Sequence, residues 1–178
     1  MIGVLGINYE SAPLQVREEF SLNGEQIIRL ATDFKNQPGN SGMVVLSTCN
    51  RSEFYFQMTE RPEKEAFRFL LEHLTGFFQI AKPDTRHFYF KTGNEAFRHL
   101  FHVVAGANSM VLGEDQIVGQ VKDALQFSTT NQLADSELNR LFTKALEANK
   151  KIRTQTKINQ GAFSVSYAGV EKCMQVFE

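Results

Sequence analysis

The stretch that decides the fold is GMVVLSTCNRSEFYFQM, residues 42–58. Met43 to Leu46 form an unbroken apolar run with two adjacent valines, the pattern of a central strand. After the corner Thr48-Cys49-Asn50-Arg51, the segment EFYFQM alternates, with Phe54 and Phe56 on one face and Tyr55 and Gln57 on the other. Two strands meeting at a polar chain reversal are therefore expected, with one of the two cysteines of the chain at that reversal.

Working outward, residues 2–8 (IGVLGIN) read as a further strand, and a short helix carrying Leu14 and Val16 is expected after SAP. Ile27, Ile28, Leu30, Ala31 and Phe34 recur near the helical period from Gly24 to Lys35, where NQPGNSG ends the pattern. EKEAFRFLLEHL resumes helical spacing, and RHFYFKT reads as a fourth strand. This mixture predicts an α+β fold: a ferredoxin-like antiparallel sheet with helices on one face. From Asn94 onward four helical stretches follow in series, at roughly 94–105, 114–128, 135–157 and 164–178, with no strand. The last pattern reaches Glu178 without a capping glycine or polar tail, so that helix is expected to have been cut short there.

Bulk properties narrow the function classes. The chain has 178 residues, a net charge of −1, sixteen phenylalanines and no tryptophan. Near neutrality removes any global attraction to nucleic acid, so an RNA partner would need a local basic surface. No apolar run approaches the length of a membrane span and no secretory signal opens the chain, which places it in the cytoplasm. Cys49 and Cys173 are too few and too far apart for a disulfide framework.

Cys49 beside MVVL has the look of a small buried hydrophobe. Two features favour chemistry instead. It lies past the apolar part of the strand between Thr48 and Asn50, and the fixed charge of Arg51 two residues on favours thiolate over thiol. Cys173, in a helical pattern with Val170 and Val176, reads as structural. In NEAFRHLFHVVAG the apolar stripe is Phe97, Leu100, Phe101 and Val104, which puts His99 and His102 on the other side of the helix. There they are either solvated or, for one of them, lining a cleft near the thiol as general base or shape-keeper. A metal site is not expected, because no third ligand has suitable spacing. In the next helix Gln116, Gln120 and Asp123 share a polar face, preceded by Ser109 and Glu114; this is either a solvated surface or a set of donors and acceptors suited to a small zwitterion. Between Arg140 and Lys157, the cations Arg140, Lys144, Lys150, Lys151, Arg153 and Lys157 face the single acid Glu147, with Leu138, Leu141, Phe142, Ala145 and Ile152 as the buried side. That helix is a candidate phosphate contact or a solvated face.

Four blocks in order, GINYESAPLQVRE, LSTCNRSE, MVLGEDQIVGQVKDA and IRTQTKINQGAFSVSYAGV, resemble the signature blocks of glutamyl-tRNA reductase. The resemblance implies a catalytic glutamyl-binding domain over residues 1–155, with 156–178 as the start of the long linker helix. In the family a nicotinamide-binding domain and a helical dimerisation domain follow. It implies NADPH-dependent reduction of glutamyl-tRNA to glutamate-1-semialdehyde in tetrapyrrole (porphyrin) biosynthesis, the NADPH held by a domain this chain lacks. Carried over by position, Cys49 is the nucleophile that forms a thioester and releases tRNA. Thr48, Asn50, Arg51, Ser109, Glu114, Asp115, Gln116 and Gln120 fall where the family binds the glutamyl group, and His99 falls where it has a histidine important for activity. Arg140, Lys144, Lys151 and Arg153 are the expected tRNA contacts. A homodimer of the full-length protein, and the aminomutase that takes up glutamate-1-semialdehyde, are further implied partners. Tyr9 stands where many members have His, Ala107-Asn108 where Leu-Asp is common, and Asp115 where Pro is common. Two other readings compete: an RNA-binding module in which EFYF and HFYF are exposed base-stacking strands, and an unrelated cysteine hydrolase with His99 as base.

Overall fold

A computed structural model describes residues 1–156 and Ile158. Its elements are β1 (Ile2–Asn8), α1 (Leu14–Glu19), α2 (Gly24–Lys35), β2 (Asn40–Ser47), β3 (Arg51–Met58), α3 (Glu63–Phe78), β4 (Tyr89–Thr92), α4 (Gly93–Val104), α5 (Gln116–Thr130) and α6 (Ser136–Gln155). The strands form one sheet in the order β2-β3-β1-β4 with every pairing antiparallel. Up to β4 this is the βαββαβ order of the ferredoxin-like motif, as expected, with the first connection made of two helices, α1 and α2. Arg86 and His87 of RHFYFKT lie in a 3-10 turn, because Asp84 caps it by accepting from the Arg86 amide, and the fourth strand begins only at Tyr89. The expected helix at 164–178 and the linker at 156–178 lie outside the described residues, apart from Thr156 and Ile158, as does Cys173.

Helices cover both faces of the sheet, not one. Leu5, Met43, Val45, Phe54 and Phe56 pack on one side with Leu30, Ala31 and Phe34 of α2 and with Ala66, Leu70 and Leu74 of α3. Val4, Val44, Leu46 and Tyr55 pack on the other side with α4, α5 and α6. A strand enclosed on both sides needs apolar residues at consecutive positions, which is the physical reason for the MVVL run. The helices after Asn94 are thus the second layer of the same core. Every phenylalanine of the described part belongs to an apolar cluster.

This arrangement overturns the base-stacking reading of the sheet. Phe54, Tyr55 and Phe56 are fully buried. Tyr55 meets Phe142 of α6 edge-on at 5.0 Å, and Phe90 of β4 stacks on Phe56 at 5.9 Å. In HFYF, Phe88 and Phe90 pack into the apolar clusters and Tyr89, half-buried, has its hydroxyl committed to Glu53 at 2.6 Å. No helix among the described residues is long and apolar enough to cross a membrane.

Candidate active site

The corner between β2 and β3 is built by Thr48. Its amide donates to the Arg51 carbonyl at 2.8 Å, and its hydroxyl oxygen accepts the amides of Asn50 and Arg51, both at 3.2 Å. Closing the turn in this way puts Cys49 at the tip, exposed and as a free thiol. The tip is tied to the end of β1 by the Tyr9 amide, which donates to the Asn50 carbonyl at 2.9 Å.

A second segment, residues 105–115, lies against this corner. Gly106 and Gly113 both have positive φ, +73° and +77°, and the Gly113 amide donates to the Gly106 carbonyl at 3.0 Å. A Cβ on Gly106 would stand 2.9 Å from the Gly113 backbone, so only glycine permits this close crossing. Two arginines hold the loop by its carbonyls. Arg51 Nη2 donates to the Asn108 carbonyl at 2.5 Å, and Arg153 Nη2 donates to the Glu114 carbonyl at 3.0 Å.

The two segments enclose a pocket lined by Thr48, Cys49, Asn50, Arg51, Ser109, Met110, Glu114, Gln116, Ile117 and Gln120. Seven of the residues singled out in the sequence therefore meet around the Cys49 thiol. The Oγ of Ser109 is buried there without a hydrogen-bond partner among the described residues, an open valence that a polar ligand atom would fill. Asp115 is not among the lining residues; its carboxylate pairs with Arg153. That pairing commits Arg153 to the loop, whereas Arg140, Lys144 and Lys151 are exposed on α6, Lys144 in an ion pair with Glu147 at 2.7 Å.

His99 lies elsewhere than the stripe argument placed it. Ala96, His99, Leu100, Val103 and Val104 are the buried residues of α4, and His99 is 7% exposed. α4 packs against both the sheet and α6, so a second flank of the helix is buried beside the Phe97 and Phe101 stripe. His99 and His102 line a neighbouring cavity of about 510 Å³ with Asn8, Glu10, Ser11, Tyr89, Lys91, Glu95, Arg98 and Asn108, not the Cys49 pocket.

Between the two cavities stands a residue the sequence reading missed. Glu53 is 0% exposed and accepts four hydrogen bonds: from Arg51 Nη1 at 2.9 Å, Tyr55 Oη at 2.6 Å, Tyr89 Oη at 2.6 Å and His99 Nε2 at 2.9 Å. Strand alternation places Arg51, Glu53 and Tyr55 on one face of β3, and a charge between two inward side chains was the available signal. Gly6 makes the network possible. It pairs with Glu53 on one side and Tyr89 on the other, and a Cβ there would fall 2.8 Å from the phenol, so its absence lets Tyr89 reach across β1. The guanidinium expected beside Cys49 as an isolated charge is thus already paired with a buried carboxylate.

Burial alone would raise the pKa of Glu53, but the hydrogen bond from His99 and the charge of Arg51 outweigh it and hold the group down to about 2. Burial, with the Glu53 charge added, pushes both Tyr55 and Tyr89 well above the ordinary phenol value, so both remain donors. A carboxylate depressed from 4.5 contributes stability that is complete above pH 4.5 and is lost as the pH falls toward 2. On the order of 3 kcal/mol is at stake. Urea unfolding at pH 5 and at pH 3 is expected to show a loss that Glu53→Gln largely removes from the pH dependence; equal slopes in both proteins would contradict it.

The family described as "Glutamyl-tRNAGlu reductase, N-terminal domain" matches residues 5–156. Among solved structures, the chain is similar to "Glutamyl-tRNA Reductase from Methanopyrus kandleri", with a TM-score of 0.74 and 28% sequence identity. The match covers 98% of this chain and 39% of that one, so this chain spans well under half the length of that protein.

Proposed function

The chain belongs to the glutamyl-tRNA reductase family through its N-terminal domain, and from that premise we propose that it carries out the acyl-transfer half of glutamyl-tRNA reduction in tetrapyrrole biosynthesis. The Cys49 sulfur attacks the ester carbonyl of glutamyl-tRNA. A carbon–sulfur bond forms, the carbon–oxygen bond to the terminal ribose breaks, and the ribose hydroxyl leaves with a proton, giving a glutamyl thioester and free tRNA. The observation that carries this reading is the convergence of Cys49 with Arg51, Ser109, Glu114, Gln116 and Gln120 around one pocket that contains an unpartnered buried hydroxyl.

The roles follow from the chemistry of each group. Arg51 has two of its N–H groups committed to Glu53 and Asn108 and still lines the pocket, where it provides a cationic wall for the glutamyl side-chain carboxylate. Glu114 suits the α-ammonium, and Gln116, Gln120, Asn50 and Ser109 provide neutral donors and acceptors. Thr48 shapes the turn. Asp115 acts through Arg153 by holding the loop. The pocket measures about 20 Å³, room for a single water, so a glutamyl group enters only if the 106–115 loop yields. His99, in the adjoining cavity, serves on that side of the network as general base or shape-keeper.

NADPH is the family's reductant, and the described residues do not fit it. The sheet is wholly antiparallel, whereas a dinucleotide cradle needs a parallel βαβ unit with a glycine-rich turn. Two domains, 1–155 and the beginning of a linker helix over 156–178, homodimerisation of the full-length protein, and hand-over to the aminomutase belong to the same proposal, as does a cytoplasmic location.

The deciding experiment is trapping. The chain is incubated with glutamyl-tRNA and quenched in acid, and the peptide containing Cys49 is weighed. A glutamyl mass increment is expected; an adduct elsewhere, or none, would sink the reading. An unrelated hydrolase would instead cleave simple activated esters and ignore the tRNA. The tRNA lies on α6 in this proposal. Reversing Arg140, Lys144 and Lys151 to Glu together is expected to weaken glutamyl-tRNA binding at least about tenfold at low salt and to flatten its salt dependence. Unchanged binding would remove α6 from the interface.

A further inference from the structure

Glu53 lines neither cavity, yet its partners line both. Arg51 forms a wall of the Cys49 pocket, while Tyr89 and His99 form a wall of the larger one. The carboxylate cannot touch a substrate in either cavity. Whatever it contributes passes through the side chains it holds.

The bond to His99 has a definite chemical consequence. Glu53 is ionised and can only accept, so the contact at 2.9 Å requires a proton on Nε2 of the imidazole. In the neutral ring Nδ1 is then the basic nitrogen, and it has no hydrogen-bond partner among the described residues. The other three donors fix the carboxylate itself. Arg51 and Tyr89 share Oε1 with His99, and Tyr55 takes Oε2, so rotation of the carboxyl would break contacts on β3 and β4 together.

We propose that Glu53 is a positioning residue for the Cys49 chemistry: it clamps His99 through Nε2–H, leaving Nδ1 to exchange protons with the larger cavity, and holds Arg51 as the wall of the thiol pocket. The link to chemistry rests on the acyl-transfer reading above, whereas the clamp itself can be measured without it.

The test uses the 178-residue chain labelled with 15N-histidine. His99 is expected to show one downfield proton coupled to Nε2, slow to exchange with water, and an unprotonated Nδ1. Glu53→Gln replaces a charge-assisted bond with a neutral one, and exchange of that proton is expected to quicken about tenfold. Tyr89→Phe keeps the carboxylate and is expected to keep the slow proton. A proton on Nδ1 in the unaltered chain overturns the proposal, as does exchange that Glu53→Gln leaves unchanged or that Tyr89→Phe alone abolishes. Should Glu53→Gln fail to fold, the unaltered chain and Tyr89→Phe still decide. In parallel, glutamyl transfer to Cys49 in Glu53→Gln is expected to slow at least about 100-fold; an undiminished rate overturns the positioning role. If the unaltered chain is not acylated at all, the acyl-transfer reading fails, and proton exchange alone upholds or overturns the clamp.

Discussion

Replacing Cys49 by serine is expected to slow tRNA release from glutamyl-tRNA by at least about 1,000-fold, because a hydroxyl at the turn tip has neither the acidity nor the nucleophilicity of a thiol. The substitution removes no packing, since Cys49 is exposed at the reversal and Thr48 holds the turn without it. The folded stability should therefore be unchanged, and a loss of activity is attributable to the sulfur. The unaltered chain should release free tRNA in a Cys49-dependent way, the thioester draining to water, and should form no glutamate-1-semialdehyde even with NADPH present. Release by the serine variant at an undiminished rate would exclude Cys49 as nucleophile. Semialdehyde formation by this chain would contradict the assignment of hydride delivery to residues outside it.

The largest effect on stability is expected at the Arg51–Glu53 pair. Both partners are almost fully buried, 2% and 0% exposed as side chains, so removing one strands the other in a medium that solvates charge poorly. Arg51→Met should cost about 3 kcal/mol and Glu53→Ala about 5 kcal/mol, the ends of the range for broken buried pairs. The order follows from what remains. Without Arg51, the carboxylate keeps hydrogen bonds from His99, Tyr55 and Tyr89; without Glu53, the guanidinium keeps, among the described residues, the Asn108 carbonyl alone. The double variant Arg51→Met with Glu53→Ala should lose less than the sum, because neither charge is then left alone. Urea midpoints for the four proteins measure this, and strict additivity would show that the pair does not act as a unit.

The pair also changes how the corner is understood. From the chain alone, Arg51 reads as a charge beside Cys49; in the folded protein it faces two ways, toward the carboxylate beneath it and toward the pocket. Its hydrogen bond to Asn108 joins the β2–β3 corner to the loop after α4, and Arg153 performs the same task from α6. The loop is therefore held from both sides by arginines, each of which is also paired with an acid, Arg51 with Glu53 and Arg153 with Asp115.

Residue order alone determined the elements. Period-2 and period-3.6 patterns are local, so β1 and α2 were legible to the residue and the other elements to within a few, and the ordered blocks around Cys49, Ser109 and Gln120 were enough to nominate the pocket. Tertiary structure alone decided which surfaces those elements share. Whether the sheet is covered once or twice depends on where α4, α5 and α6 return, and that is settled by contacts between residues far apart in the chain. Glu53 illustrates the reason: Arg51 and Tyr55 are its neighbours on β3 and could be read from alternation, but Tyr89 of β4 and His99 of α4, which complete its hydrogen bonds, arrive from 36 and 46 residues away, and no window of neighbouring residues contains them.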